Sequence, residues 1–319
     1  MTVSITRAAR PQIIAITGAT GFVGANLLRY HRERGDSVRI LSRHPALASP
    51  ALHGAIPFQG DLSENILPNF LEGADTLYHL AAEHGDDSRM HTVNVVGTSN
   101  LLRAAVSAGV RCWIQLSSIG VYGPPTCPVV TEVTVPMPLN EYERTKLASD
   151  LLVEETCKNT SLEYSILRPS NVIGAKMKNG SFAALVNAVR RGRFCYFGPR
   201  GSIATYVHVD DVARALVACR DAPSGSVFNL SSDCLWEELI DQISLLVDVR
   251  PPRLRLPAMP VKMVLRALES RIRLPITCSR LASLTNRSRY SSERIVRELG
   301  FTYSRPMPVG IEDVVAVMR

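Results

Sequence analysis

Three glycines recur at every third position directly after a short apolar run near the start of the chain. The stretch IAITGATGFVGANL covers residues 14–27 and contains Gly18, Gly21 and Gly24. The apolar run predicts a strand, and the residues from position 22 onward predict a helix. A strand that runs directly into a helix leaves the first helical N–H groups without partners, and these groups attract anions. The sequence therefore predicts a glycine-rich turn that binds a phosphate-type anion.

Strand-like and helix-like patterns alternate through the first 170 residues. Short apolar runs predict strands over 13–17, 37–41, 76–82, 112–118 and 161–169. Helical periodicity occurs between them over 22–34, 91–108 and 141–158. This alternation predicts an α/β fold with a doubly wound parallel sheet and helices on both faces.

The pattern changes after Gly174. A further strand and helix are predicted near 205–232, and short helical segments with many prolines dominate from residue 233. We therefore predict a first domain over 1–174 that includes the returning segment near 205–232. The remaining parts, 175–204 and 233–319, are expected to form a smaller C-terminal α+β lobe.

Composition narrows the class of protein. The chain is 46% hydrophobic and 20% charged, which is typical of a globular protein. It contains no run of ~18 apolar residues, so we expect no membrane span. The first twelve residues lack the apolar segment of a secretion signal. The seven cysteines form no C-x-x-C pair, and their odd number favours reduced thiols. We therefore expect a cytoplasmic protein.

The positive charge is concentrated in the C-terminal third. The net charge is +7, and residues 250–305 contain thirteen Lys or Arg against three Glu. Such a concentration is compatible with an anionic ligand or surface, and equally with a solvated arginine-rich face. Because no aromatic residues alternate with these cations, we do not expect nucleic acid as a partner.

A tyrosine and a lysine are separated by one helical turn in YERTK. Tyr142 and Lys146 lie at i and i+4, so both side chains project from one helix face. A phenol ionises near pH 10, and lowering its pKa by ~3 units requires about 4 kcal/mol of preferential stabilisation. We expect the Lys146 ammonium to supply this, which would make Tyr142 an acid/base group. Ser117 and Ser118, at the end of a predicted strand, offer a hydroxyl beside it.

These motifs resemble those of the extended branch of the short-chain dehydrogenase/reductase superfamily, which contains epimerases, dehydratases and reductases. TGATGFVG is similar to the family's cofactor loop, and Ser118 stands four residues before Tyr122 in a VYG element. The resemblance implies that the first domain is a Rossmann domain and that the C-terminal lobe binds substrate. It also implies that Ser118 polarises the substrate, that Tyr142 is the acid/base, and that Lys146 holds the nicotinamide ribose.

The resemblance implies further contacts with a dinucleotide. Asp61 is expected at the adenine, and HLAA along the ribose. The implied cofactor-binding residues are Gly18, Thr20, Gly21, Phe22, Val23, Gly24, Ser42, Arg43, Asp61, Leu62, Leu80, Ala81, Ala82, Asn94, Tyr142, Lys146 and Pro169.

The second predicted strand ends in RILSRHP, without the acidic residue that accepts the ribose hydroxyls of NAD. Ser42 replaces the acid and Arg43 follows it. A hydroxyl and a guanidinium suit a 2′-phosphate, which a carboxylate would repel. We therefore expect a preference for NADP(H), with NAD(H) as the alternative.

Substrate contacts are expected from Glu83, Ser118, Asn171 and Arg200. In nucleotide-sugar enzymes of this family an arginine often precedes the YVHV element, whereas this chain has Ala204 and Thr205 there. Arg200, Arg287 or Arg289 would have to replace it if the substrate is a diphosphate. We assign His208 and the pair Asp210–Asp211 to helix capping, so no metal site is expected.

The favoured activity is reduction of a 4-keto nucleotide-activated sugar, with hydride from NADPH and a proton from Tyr142. Three alternatives stay open: a nucleotide-sugar 4-epimerase with tightly bound NAD, a reductase of an apolar alcohol or ketone such as a sterol or flavonoid, and a non-catalytic dinucleotide sensor. The amphipathic stretch 261–274 could cover an apolar substrate or rest on a membrane, although a helix packed on the core is favoured. The resemblance also implies a homodimer formed by the helices at 91–108 and 141–158.

Overall fold

The structure is a computed structural model that describes residues 12–44, 52, 54–64, 68–175, 177, 180–268 and 277–318. These residues form two compact units. The first comprises the described residues of Met1–Gly123, Pro136–Arg168 and Ala213–Phe228. The second comprises those of Pro124–Val135, Pro169–Val212 and Asn229–Arg319. The domain boundary at residue 174 stays a prediction.

The described residues contain strands of two to seven residues. In chain order they are β1 (Ile13–Thr17), β2 (Ser37–Ser42), β3 (Ile56–Gln59), β4 (Thr76–His79), β5 (Cys112–Leu116), β6 (Val129–Val130), β7 (Glu163–Pro169), β8 (Asn171–Ile173), β9 (Tyr196–Phe197), β10 (Ile203–Ala204), β11 (Tyr206–His208), β12 (Ser226–Leu230), β13 (Cys234–Leu235), β14 (Arg255–Leu256) and β15 (Arg289–Tyr290).

The α-helices of the described residues are α1 (Phe22–Glu33), α2 (Pro68–Leu71), α3 (Asp87–Met90), α4 (Gly97–Ser107), α5 (Glu141–Lys158), α6 (Gly180–Arg190), α7 (Val209–Ala218), α8 (Trp236–Leu246), α9 (Ala258–Leu268), α10 (Cys278–Leu284), α11 (Glu293–Leu299) and α12 (Glu312–Ala316). A π-helix, His91–Val96, joins α3 to α4. Short 3₁₀ helices cover Ile119–Tyr122, Cys219–Asp221 and Val309–Ile311.

Seven strands form one sheet in the order β12-β7-β5-β4-β1-β2-β3. The pairings from β7 to β3 are all parallel. The chain moves outward from β1 to β3 and then returns to place β4 on the other side of β1. In sheets of this kind ligands bind at the carboxyl ends of the strands where the order reverses. The predicted doubly wound parallel sheet is confirmed.

The central strands of the sheet are buried on both faces. Ile14, Ala15 and Ile16 of β1 are fully buried, which explains the continuous apolar run in the sequence. Trp113 of β5 and Leu77 of β4 pack in the main apolar cluster. Packing of these buried strands therefore holds their carboxyl ends in place, and the candidate site extends from those ends.

The second unit has a separate apolar core. Phe182 of α6, Trp236 and Ile240 of α8, and Val314 of α12 pack in one cluster. Its strands form two-stranded pairings, of which β10–β13 is antiparallel and β8–β11, β9–β14 and β6–β15 are parallel. Helices and short strand pairs together agree with the expected α+β lobe.

The seven cysteines are all described, and each is a free thiol. Within the described ranges, every helix is too short or too polar to cross a bilayer. The same part of the chain holds no group of three or more His, Cys, Asp or Glu side chains arranged to ligate a metal ion.

Candidate active site

The glycine turn between β1 and α1 has no room for side chains. Gly18 has a φ of +73°, and a Cβ there would lie 2.6 Å from Ala81 N. A Cβ at Gly24 would lie 2.2 Å from Gly18 O. Gly21 closes the turn by donating its N–H to Gly18 O at 2.9 Å. Glycine is therefore required at positions 18 and 24 by positive φ and close backbone approach.

Helix α1 starts inside this turn with its first N–H groups available. Gly21 is the N-cap residue, and within the described chain no side chain caps the helix. The first turn, which includes Phe22 and Val23, carries no acidic residue that would repel an anion. Thr20 is exposed beside it. This cradle fits the pyrophosphate of a dinucleotide.

The ends of β2 and β3 bring two predicted cofactor residues together. Asp61 accepts hydrogen bonds from the N and Oγ of Ser63 at 2.9 and 2.8 Å. The Ser63 N–H, with smaller effects from the guanidinium groups of Arg43 and Arg89, holds the pKa of Asp61 below its usual range. Arg43 is exposed and follows Ser42, the last residue of β2. A basic group thus lies beside the carboxylate expected at the adenine.

The segment after β4 lies against the glycine turn. Ala81 N is hydrogen-bonded to Thr17 Oγ1 at 3.4 Å, and Leu80 and Ala82 flank it half-buried. The side chain of Leu62 belongs to the main apolar cluster. Only the main chain of Leu62 is therefore available to a ligand.

The side chain of Asn94 binds the main chain of Glu83. Asn94 Oδ1 accepts the N–H of Glu83 at 2.7 Å, and its Nδ2 donates to Glu83 O at 2.9 Å and to Thr145 Oγ1 at 3.0 Å. Both amide hydrogens are used, so Asn94 links the π-helix to α5. The carboxylate of Glu83 accepts the N–H groups of Gly85 and His84, which hold the pKa of Glu83 below its usual range.

Ser118 lies directly after β5 and beside the first turn of α5. It caps the following 3₁₀ helix by accepting the Gly120 N–H at 3.0 Å. A Cβ at Gly120 would be 3.2 Å from both Ser118 Oγ and Glu143 Cγ. Glu143 forms a capping box with Asn140 that starts α5 at Glu141. The hydroxyl of Ser118 therefore lies close to the helix turn that carries Tyr142.

Lys146 is anchored at the carboxyl end of β5. Its Nζ donates to Leu116 O at 2.6 Å, and only 4% of the residue is exposed. Burial lowers the pKa of Lys146. The structure therefore joins the lysine of α5 to the strand that ends two residues before Ser118.

Tyr142 has the opposite pKa shift from the one expected. Burial, with smaller effects from the charges of Asp150 and Glu143, raises the pKa of Tyr142 to about 12. Within the described residues its hydroxyl has no hydrogen-bond partner. The pKa that was expected to be lowered is therefore raised in this structure, because burial disfavours the phenolate and the carboxylates of Asp150 and Glu143 add to that effect.

A buried ion pair between Asp150 and Arg168 was not predicted from the sequence. Asp150 lies one helical turn after Lys146 on α5. Asp150 Oδ2 accepts hydrogen bonds from Arg168 Nε and Nη2 and from Ser117 Oγ. Arg168 also donates to Tyr122 Oη at 3.1 Å. Burial raises the pKa of Asp150 against the opposing effect of Arg168. The detectable signal was the spacing of Tyr142, Lys146 and Asp150 at i, i+4 and i+8 on one helix face.

A second missed network surrounds His79. Its Nδ1 lies 2.7 Å from Thr17 Oγ1 and its Nε2 lies 3.0 Å from Thr98 Oγ1. Thr98 donates to Asn94 O and contacts Ser149 Oγ, which accepts from Gln115. Burial, reinforced by the charge of Lys146, lowers the pKa of His79 to about 3. The neutral imidazole therefore donates through Nε2 and accepts through Nδ1.

The second unit carries the other predicted residues. Pro169 is buried at the end of β7, and Asn171 donates its amide to Thr205 O at 2.9 Å. Arg287 Nη2 donates to Arg200 O at 2.6 Å, so two of the arginines considered for a diphosphate are neighbours. Arg289 lies in β15.

Asp210 and Asp211 hold a C-terminal segment. Asp211 accepts the N–H groups of Ser304 and Arg305 at 2.7 and 3.1 Å, and Asp210 pairs with Arg305. His208 Nδ1 accepts the N–H of Asp210 at 3.2 Å. Both acids also lie in the first turn of α7, where their negative charges interact favourably with the helix dipole.

Residues 14–231 match the NAD dependent epimerase/dehydratase family. A UDP-glucose 4-epimerase of Vibrio cholerae is 30% identical over 258 residues, covering 75% of this chain and 76% of the relative. A 4-hydroxy-2-methyl-3-oxo-4-farnesyl-3,4-dihydroquinoline-1-oxide ketoreductase of Stigmatella aurantiaca is 30% identical over 244 residues, covering 74% and 72%. This chain spans only 55% of the length of an uncharacterized relative from Sinorhizobium fredii.

Solved structures agree with this assignment. The structure of MoeE5 in complex with UDP-glucuronic acid and NAD superimposes with a TM-score of 0.75 and 25% identity, covering 96% of this chain and 98% of that one. Because the family match spans most of the chain and includes the glycine turn, Ser118, Tyr142 and Lys146, the relationship extends to the candidate site. The chain therefore belongs to the NAD dependent epimerase/dehydratase family and is an NAD(P)-dependent enzyme of the extended short-chain dehydrogenase/reductase type.

Proposed function

We propose that the chain reduces the 4-keto group of a nucleotide-activated sugar, using NADPH. The observation that carries this proposal is the placement of Tyr142 and Lys146 one turn apart on α5, with Lys146 Nζ held by Leu116 O at the end of β5, two residues before Ser118. A phenol ionises at about pH 10, so Tyr142 is protonated at neutral pH and can act as a proton donor. Reduction of a ketone needs a proton at the carbonyl oxygen, so the resting state of Tyr142 suits this direction.

Ser118 and Tyr142 both donate a hydrogen to the carbonyl oxygen in this proposal. Since Ser118 Oγ already accepts the Gly120 N–H, its own hydrogen can be donated to the substrate oxygen. Tyr142 donates the proton that converts this oxygen to a hydroxyl. NADPH, when bound, supplies the hydride to the carbonyl carbon. Two polar hydrogens directed at the oxygen stabilise the negative charge that develops during reduction.

Lys146 has two functions in this proposal. One ammonium hydrogen is held by Leu116 O, which leaves two for the hydroxyls of the nicotinamide ribose. Its positive charge, one helical turn from Tyr142, stabilises the phenolate that proton transfer leaves behind. The networks of Asp150 and His79 hold this turn of α5 in place.

The residues of the glycine turn, with Ser42 and Arg43, are proposed to bind NADPH. The N–H groups at the start of α1 receive the pyrophosphate, and Asp61 receives the adenine amino group. Arg43 and the hydroxyl of Ser42 receive the 2′-phosphate, for which a cation is required. The absence of an acid at position 42 is the basis for preferring NADPH over NADH.

The substrate proposal rests on the arginines of the second unit. Arg200 and Arg287 are both exposed and hydrogen-bonded to each other through Arg200 O. Guanidinium groups suit the diphosphate of a nucleotide sugar, and the Arg287 guanidinium lies at the main chain of Arg200. We propose that they replace the arginine missing from positions 204–205, with Asn171 contributing a polar contact.

Two relatives favour alternative activities. The similarity to a UDP-glucose 4-epimerase supports a 4-epimerase that retains NAD, and the similarity to a ketoreductase supports reduction of an apolar ketone. We further propose a cytoplasmic homodimer formed by α4 and α5, where Val106 and Leu151 are exposed.

The test is to purify the protein, identify any cofactor that denaturation releases, and assay NADPH oxidation with a nucleoside diphosphate 4-keto-6-deoxysugar. We expect turnover with NADPH, a loss of about 10³-fold or more in Tyr142→Phe, and no loss in the control Tyr30→Phe. Tightly held NAD⁺ with interconversion of C4 epimers would favour the epimerase. Full activity of Tyr142→Phe would overturn the assignment of Tyr142.

A further inference from the structure

Among the described residues, helix α9 packs on the second unit through one face. Leu265 is buried, and Val261 and Ala258 pack with it against Phe197 and Leu281. The opposite face carries Met259 and Met263, each 69% exposed, and Val264, 56% exposed, lies at the edge of the packed face. The helix therefore presents an apolar outer surface that the packing of the unit does not require.

Cations flank this apolar surface. Met259, Lys262, Met263 and Arg266 follow the i, i+3, i+4, i+7 spacing that places residues along one helix face. Lys262 and Arg266 are exposed and make no ion pair with the described residues. Positions 249–268 contain five Lys or Arg and no Asp or Glu. One surface thus combines exposed apolar side chains with two cations that form no ion pair within the described part of the chain.

We propose that the outer face of α9 docks onto an anionic lipid bilayer surface. A helix that lies in a membrane interface inserts apolar side chains between the headgroups and holds its cations at the phosphates. Met259 and Met263 are unbranched and flexible, which allows them to enter an irregular headgroup layer. Lys262 and Arg266 then lie at the level of the lipid phosphates.

Charge complementarity favours a lipid surface over a second copy of this chain. A symmetric contact through α9 would bring the Lys262 and Arg266 side chains of two copies together. Like charges placed across an interface oppose association. An anionic bilayer satisfies the same cations, and each contributes about a fivefold gain in partitioning near such a surface. This inference is independent of the substrate and of the reaction direction proposed above.

Vesicle binding tests the proposal. The full chain is mixed with vesicles of phosphatidylcholine and phosphatidylglycerol in equal parts, or of phosphatidylcholine alone, and sedimented. We expect binding to the anionic vesicles, weak binding to the neutral ones, and release at high salt. The double variant Lys262→Gln/Arg266→Gln should lower partitioning about 25-fold, and Met259→Ser/Met263→Ser should also reduce it at least tenfold.

Matched controls separate this surface from general basicity. Arg191→Gln/Arg193→Gln removes two other exposed cations of the second unit, and Leu245→Ser removes an apolar side chain that is 73% exposed. These variants should change partitioning less than twofold. Thermal unfolding of every variant shows whether it is folded.

Three results would overturn the proposal. One is no binding to anionic vesicles, and another is an equal loss of binding in the α9 variants and their controls. The third is a mass in sedimentation equilibrium that falls from dimer to monomer in Met259→Ser/Met263→Ser, because a second copy would then cover this face.

Discussion

Asp150 Oδ2 accepts two hydrogen bonds from one guanidinium, at 3.2 Å from Nε and 3.1 Å from Nη2 of Arg168. Both side chains are almost fully buried. The pair joins α5, which carries Tyr142 and Lys146, to β7 of the central sheet. Because Ser117 Oγ donates to the same oxygen, the end of β5 is tied to the same point. This ion pair therefore positions the elements from which the candidate site is built.

Removing the carboxylate of Asp150 should destabilise the protein strongly. Asp150→Ala leaves the Arg168 charge buried without a partner, and we expect a loss of about 3–5 kcal/mol in the free energy of unfolding. The control is Glu163→Ala, which breaks an exposed pair with Arg111 and should cost under about 1 kcal/mol. Urea unfolding of both variants measures the difference, and equal losses would contradict the role given to the pair.

Gly24 should not tolerate even a methyl group. A Cβ at this position would lie 2.2 Å from Gly18 O and 2.7 Å from Ala19 Cα, both backbone atoms. Gly24→Ala must therefore shift α1 away from β1, and we expect a loss of about 2–4 kcal/mol together with weaker NADPH binding. Gly180→Ala is the control, since a Cβ there meets open space. Thermal unfolding and NADPH titration of both proteins provide the comparison, and wild-type values for Gly24→Ala would refute the steric argument.

Tyr142 should make the fold sensitive to alkaline pH. Its pKa of about 12 in the folded protein lies above the ordinary value of a phenol, about 10. The folded chain therefore keeps this proton longer than the unfolded chain does. The resulting stability is fully present below about pH 10 and is lost as the pH rises to about 12. In Tyr142→Phe the decline of unfolding free energy over this range should be smaller, by up to about 2 kcal/mol. Parallel pH profiles for the two proteins would show that the phenol ionises normally.

The strands of the central sheet were predictable where their apolar runs are continuous. Ile13–Thr17 and Cys112–Leu116 are buried on both faces, so sequence and burial agree. β3 was not predicted, because Ile56–Gln59 is mostly exposed and contains Pro57, as is typical of an edge strand. The π-helix His91–Val96 also had no sequence signal, and it interrupts the helix expected over 91–108.

The candidate site was predictable as a set of residues but not as a set of pKa values. Spacing alone placed Tyr142 and Lys146 on one face, and the structure keeps them on α5. Spacing contains no information on burial, and burial is the largest cause of the pKa shift of Tyr142. The hydrogen bond from Lys146 to Leu116 O joins residues thirty positions apart and depends on the tertiary fold.

The amphipathic stretch 261–274 was assigned an apolar face through positions 261, 264, 265, 268 and 272. The structure buries Leu265 and half-buries Val261, but Val264 is exposed. The side chain of Leu268 and residues 269–274 lie outside the described residues. Helical periodicity identified the amphipathic character, whereas the direction of the buried side was decided by packing on Phe197 and Leu281.

The residue at the end of β2 should decide between the two nicotinamide cofactors. Ser42→Asp places a carboxylate where a 2′-phosphate is proposed to bind, and the repulsion should weaken NADPH binding by about 100-fold. NADH binding should improve, because the new carboxylate can accept the ribose hydroxyls. Arg43→Gln is the companion variant, and it should lose about tenfold in NADPH affinity while its NADH affinity changes little. Fluorescence titration of the wild type and of both variants with NADPH and with NADH gives the change in affinity of each variant for each cofactor. If Ser42→Asp keeps the wild-type ratio of NADPH to NADH affinity, the 2′-phosphate is not read at this position, and the preference must come from another group such as Arg89, whose charge also reaches Asp61.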